Sequence, residues 1–162
     1  MERESLAGPL IFGLTFLIFL ASGVPQVTDS KFSMLLSEGL VKHGSFQLDH
    51  YALPRPAPEW NGYYFKSGSY HLEAAGGHVY YHLPPGSSVL SAPFVAVFNL
   101  FGTSAVDRAG AYHPRGEVRM QRILAALLMA ALASVFFYRA AAAADEMERP
   151  GGVGRRAGNA GL

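Results

Sequence analysis

Leu10-Ile-Phe-Gly-Leu-Thr-Phe-Leu-Ile-Phe-Leu-Ala21 carries one polar side chain, Thr15, and its reading decides the fold. Widened outward, the run stays uncharged from Ser5 to Thr28. About 20 helical residues, at roughly 1.5 Å each, cross a bilayer core of roughly 30 Å. The stretch therefore predicts a transmembrane helix over 8–27, after a short cytoplasmic amino terminus at 1–7. Pro9 falls near the expected first turn, where a missing N–H costs little, and Pro25 ends the run. A cleaved signal peptide is the competing reading. Against it, Met1-Glu-Arg-Glu4 is barely basic and the apolar stretch is long.

Two more apolar blocks follow. Leu83–Val106 has no charged residue and carries Pro93 inside it, which a membrane helix tolerates as a kink. Pro84-Pro85-Gly86 at its start reads as a helix entry. The third block, Ile123–Tyr138 between Arg122 and Arg139, reaches 144 if Ala140–Ala144 extend it and Arg139 snorkels to the interface. The expected fold class is thus an all-α integral membrane protein with about three transmembrane helices, at 8–27, 83–106 and 123–144. Arg108, Arg115, Arg119 and Arg122 make 107–122 a basic, cytoplasmic loop. The amino terminus is then cytoplasmic, residues 28–82 face outward, and the chain is multi-pass in an inner or plasma membrane. The glycine-rich tail, 145–162, reads as disordered.

In the outward segment, Thr28-Asp29-Ser30 are good cap formers, and Phe32, Leu35, Leu36 and Leu40 recur at helical spacing before Gly44. This predicts an amphipathic helix over 30–43 lying along the membrane surface. Tyr70–Glu73 and His78–Leu83, joined through Ala75-Gly76-Gly77, read either as a short β-hairpin or as an ordered loop. Six of the eight tyrosines fall between Tyr51 and Tyr81, as an aromatic belt requires; stacking on sugar rings is the alternative.

Composition narrows the function classes. A net charge of +1 gives no basic excess for nucleic acid, and the absence of cysteine excludes disulfides and thiolate metal sites. No phosphate-binding loop and no G-x-S-x-G is present. His78 and His82 are four apart, but in extended chain they stand too far apart to chelate easily, so no metal site is read from spacing.

The order of pieces carries a resemblance. An apolar helix is followed by Asp29, a surface helix ending at Lys42-His-Gly-Ser-Phe46, and an aromatic-rich loop. Next comes Tyr80-Tyr81-His82-Leu83-Pro84-Pro85-Gly86-Ser87-Ser88-Val89-Leu90-Ser91-Ala92-Pro93-Phe94. Over about residues 8–140 this resembles the amino-terminal region of GT-C-type membrane glycosyltransferases, the protein mannosyltransferases and bacterial RgtA/B/C/D-like proteins among them. Members usually have many more spans, so the resemblance implies an amino-terminal fragment. It further implies sugar transfer from a polyprenyl-phosphate donor to an acceptor at the outer face, at a membrane lipid surface. An acceptor hydroxyl needs a base at neutral pH, and the resemblance makes Asp29 that candidate. Asp29 as a plain helix cap is the bland alternative. Lys31, Tyr81 and His82 are candidate substrate contacts. The resemblance allows a divalent cation, which the spacing does not support. The rival function is a non-catalytic membrane subunit or scaffold with a membrane-protein partner.

Overall fold

The computed structural model describes residues 2–22, 30–54 and 69–148. Its elements run α1 (Glu2–Ala21), α2 (Ser33–His43), β1 (Leu72–Ala75), β2 (His78–Tyr81), α3 (Gly86–Leu100) and α4 (Pro114–Glu148). The chain divides into two compact units, Ser22–Ala125 and Met1–Ala21 with Ala126–Leu162.

The unit of α1 and the distal part of α4 turns its hydrocarbon outward. Leu6, Leu10, Leu14, Leu17 and Ile18 on α1 are exposed, as are Leu128, Leu132, Val135 and Phe136 on α4. Gly8 stands against the phenol of Tyr138. Ala126 and Ala130, one turn apart, are fully buried, as expected where small residues let backbones approach.

Only one of the three expected spans is long and apolar enough to cross a membrane. That helix is α4, over Pro114–Met147. It begins well before 123, because Pro114 occupies its first position, where proline's fixed φ suits a helix start. The apolar parts of the others, Leu6–Ala21 and Gly86–Leu100, reach about 24 and 22 Å at ~1.5 Å per residue. Both apolar parts fall short of a core of roughly 30 Å, although the whole of α1, at 20 residues, reaches about 30 Å. Helix α1 starts six residues earlier than the expected 8 and ends at Ala21, so Pro9 lies in its second turn. Residues 145–148 of the expected disordered tail are helical; the remainder lies outside the described residues.

In the Ser22–Ala125 unit, α2 packs along α3. Phe32, Leu35 and Leu36 join Leu48, Leu72, Val95 and Met120 in one apolar core. This corrects the expected interfacial helix over 30–43. The amphipathic pattern is real, but its apolar face is covered by protein. The start is also corrected: the N-cap is Phe32, with no side-chain cap bond. Gly44, at φ 63°, closes the other end by donating to the Leu40 carbonyl at 3.1 Å.

The hairpin forms. β1 and β2 pair antiparallel with Leu72 opposite Tyr81 and Ala75 opposite His78. Gly76 and Gly77 have φ of 58° and 84°, the two positive values that a two-residue type I′ turn demands. Asp49 ties the hairpin down, accepting from the Val79 amide at 2.9 Å and meeting His78 Nδ1 at 2.9 Å.

The expectation that 107–122 is a loop is corrected as well. Asp107 Oδ1 accepts from the amides of Ala109 (2.8 Å) and Ala111 (2.9 Å), making a turn, and 114–122 are the first turns of α4. This segment bonds to the one expected on the opposite side of the membrane. The Ala52 amide donates to the Gly110 carbonyl at 3.0 Å, and the Phe32 amide to the Glu117 carboxylate at 3.0 Å. Segments so joined share one side of any bilayer. Helix α3 connects two parts of one unit and does not span from 83 to 106.

Candidate functional site

Two buried carboxylates organise the Ser22–Ala125 unit. Glu117, with no exposed surface, sits in the first turn of α4. Its Oε2 accepts from the Phe32 amide at 3.0 Å and from the Tyr112 hydroxyl, and its Oε1 from the Met34 amide at 3.0 Å and from Gln121 Nε2 at 3.4 Å. The carboxylate thus occupies the place of a capping side chain, satisfying amides at the start of α2 that no local residue serves. Gln121 Nε2 also donates to the Ser30 carbonyl at 2.9 Å, so α4 grips both sides of the Lys31–Phe32 turn.

Phe32 is strained. Its φ of 68° and ψ of 0° are left-handed, a conformation that costs an L residue roughly 1–2 kcal/mol. Packing holds it there: the ring is buried, tilted on Tyr112 at 4.4 Å between centroids and edge-on to His71 at 5.9 Å.

Glu38, the second buried carboxylate, accepts from Ser104 Oγ at 2.6 Å, from the Ala105 amide at 2.8 Å and from Lys42 Nζ one turn on. It pins the loop after α3 to α2. Burial pushes the Glu117 carboxyl above its ordinary value, against the opposing hydrogen bonds from Tyr112, Met34 and Phe32 and the charge of Lys31. Tyr112 is pushed up too, by burial first and then by Glu117, so it remains a donor. Tyr51 is raised to about 12 by burial and by the charge of Glu38.

Around this anchor lie the residues singled out from sequence. Lys31 is half-buried, with Nζ 4.9 Å from the centroid of the Phe32 ring. His82 leaves the hairpin, its amide donating to the His71 carbonyl at 2.8 Å and its Nδ1 3.0 Å from Glu73 Oε2. Tyr81 is half-buried on β2. Phe32 and His71 therefore form the link between Lys31 and His82. Asp29 lies outside the described residues. The backbone that follows it is held, since the Ser30 carbonyl also accepts from Ser33 Oγ at 2.7 Å.

Chemically, the buried carboxylates are committed to the fold. Each oxygen of Glu117 already accepts two hydrogen bonds, and Glu38 accepts three. Asp49 is exposed and is held below its ordinary value, chiefly by the Val79 amide and then by His78. Among the described residues no three histidine or acidic side chains cluster to hold a metal ion. His78 and His82 have different acidic partners, Asp49 and Glu73.

Sequence reasoning overlooked Glu38 and Glu117. Glu117 lies within 107–122, the segment read from sequence as a basic loop. The readable signal was Pro114-Arg-Gly-Glu117, a proline-started helix with an acid in its first turn. Compared with known protein families, curated proteins and solved structures, the chain matches none.

Proposed function

We propose that this chain belongs to a polyprenyl-phosphate-dependent glycosyltransferase, moving a sugar to an acceptor at the outer face of an inner or plasma membrane with Asp29 as general base. The observation that carries the reading is Asp29 directly after the uncharged run Ser5–Thr28, followed by the Tyr80–Phe94 stretch. Glu38 and Glu117, the buried acids among the described residues, are committed to hydrogen bonds within the fold, so the base is sought elsewhere. Lys31 supplies a cation suited to the donor phosphate, and Tyr81 and His82 supply further polar contacts.

In this reading the chain is multi-pass. Helix α1 and the Ile123–Ala144 part of α4 cross the bilayer, the residues between them are outside, and both ends are cytoplasmic. Arg139 then snorkels to the cytoplasmic interface, and Arg149, Arg155 and Arg156 lie on the cytoplasmic side, where arginine is enriched.

The test is transfer from a polyprenyl-phosphate-linked sugar by the chain in membranes, with Asp29→Asn beside it. General-base loss lowers turnover by roughly 10²–10⁴-fold. Near-normal turnover in the variant, at equal expression, removes Asp29 from the mechanism. A wild-type chain without transfer, but recovered with a larger membrane protein, supports the subunit reading. That alternative draws on the commitment of both buried carboxylates to structure.

A further inference from the structure

Helix α3 buries two serines beside its core residues and exposes a row of hydrocarbon side chains. The buried side carries Ser88 and Ser91 as well as the core residues Val95 and Phe98, and there Ser37 Oγ donates to the Ser88 carbonyl at 2.9 Å and meets Ser91 Oγ at 2.8 Å. The side facing away carries Val89, Leu90, Phe94 and Val97, and Leu100 and Phe101 are 85 % and 81 % exposed at its end. A domain surrounded by water places hydroxyls outside and hydrocarbon within. A hydrocarbon row turned outward with serines turned in suits a surface solvated by lipid.

We propose that α3 is a monotopic membrane helix, lying in the headgroup–acyl boundary of the outer leaflet with Leu90, Phe94, Val97, Leu100 and Phe101 immersed. Three observations select lipid as the occupant. The same chain carries α4, which is long and apolar enough to cross a bilayer. No charged residue occurs from Leu83 to Val106 to oppose immersion. At 15 residues, or about 22 Å, α3 is too short to cross. Its flanks are also tied to the same unit: the His82 amide bonds to the His71 carbonyl and the Ala105 amide to Glu38. Lying in the plane is what remains. The inference rests on the two crossings proposed above and not on sugar transfer.

The chain has no cysteine, so single cysteines can be introduced without other changes. Leu90→Cys and Leu100→Cys report on the outer side of α3, Ala74→Cys on the exposed hairpin, and Leu132→Cys on α4. Each full-length variant is labelled with an environment-sensitive fluorophore and reconstituted in phosphatidylcholine–phosphatidylglycerol vesicles. Vesicles with nitroxide high or low on the acyl chain then report depth. The expected result is quenching of 90 and 100 by the shallow nitroxide more than by the deep one. Position 132 should be quenched by the deep one, and 74 by neither. If 132 is quenched but 90 and 100 are not, α3 is covered by a second copy or another protein and the proposal fails while the crossings stand. Shallow quenching at one end of α3 with deep quenching at the other overturns it in favour of a descending helix. Loss of quenching at 132 overturns the crossings themselves.

Discussion

Replacing Glu117 tests whether a side chain remote in sequence caps α2. In Glu117→Ala the amides of Phe32 and Met34, both bonded to the carboxylate at 3.0 Å, lose their acceptor in a site that water does not reach. Each unsatisfied buried donor costs about 1–3 kcal/mol, and some of that is offset because a buried carboxylate no longer has to be desolvated. A net loss of about 2–4 kcal/mol follows, and at roughly 4–8 °C per kcal/mol the melting temperature falls by some 10–30 °C. Glu117→Gln keeps the shape and one acceptor but turns an NH₂ toward a donor, so about 1–3 kcal/mol is lost. Thermal unfolding of the full chain in detergent, followed by near-ultraviolet circular dichroism, should rank wild type above Gln above Ala. The pH dependence adds an independent sign. Because burial raises the folded carboxyl above 4.5, the native state binds more protons than the unfolded state between 4.5 and its own higher value. This contribution to stability is full below 4.5 and is lost as pH rises through the folded value. Wild type should therefore show that fall and both variants should lack it. A Gln variant that melts with wild type, or an Ala variant with an unchanged pH slope, refutes the reasoning.

Two other substitutions probe local geometry. At Phe32, glycine should be better tolerated than alanine by about 1 kcal/mol, the reverse of the usual order, because φ is 68°; both should fall below wild type by melting, having lost the ring's contacts. A Cβ at Gly116 would meet the Ser104 carbonyl oxygen at 1.9 Å, whereas one at Gly8 would meet the end of the exposed Tyr138 side chain. Gly116→Ala should thus cost several kcal/mol, about the cost of an overpacked core, and Gly8→Ala almost nothing. Equal melting temperatures for the two would count against the packing described for the start of α4.

Local signals were legible and global partners were not. The 3.6-residue repeat of Phe32, Leu35, Leu36 and Leu40, the Gly44 stop and the Gly76-Gly77 turn all announce themselves within a few residues. Periodicity says that a face is apolar without saying what covers it. For that reason α2 was expected on a lipid surface although Leu48, Leu72 and Met120 cover it. Leu83–Val106 has the composition of a span. Its length as a helix, and the hydrogen bonds that return its far end to the near side, depend on Glu38, 67 residues before the Ala105 amide. The positive-inside argument at Arg108–Arg122 assumes a loop, and the segment is instead a turn and the first turns of a helix. Of the candidate site, Lys31 and His82 were read from sequence, while the carboxylate that fixes the turn beside Lys31 lay 85 residues from its first amide.

That separation has a consequence in time. A ribosome adds about 5–20 residues each second, so roughly 4–17 s pass between the synthesis of Phe32 and that of Glu117. Throughout this interval α1 is already made, and the Lys31–Phe32 turn has no acceptor to hold it left-handed. The Ser22–Ala125 unit therefore closes late in synthesis, well after α1 has been made. Its last fastening arrives with the opening turn of α4.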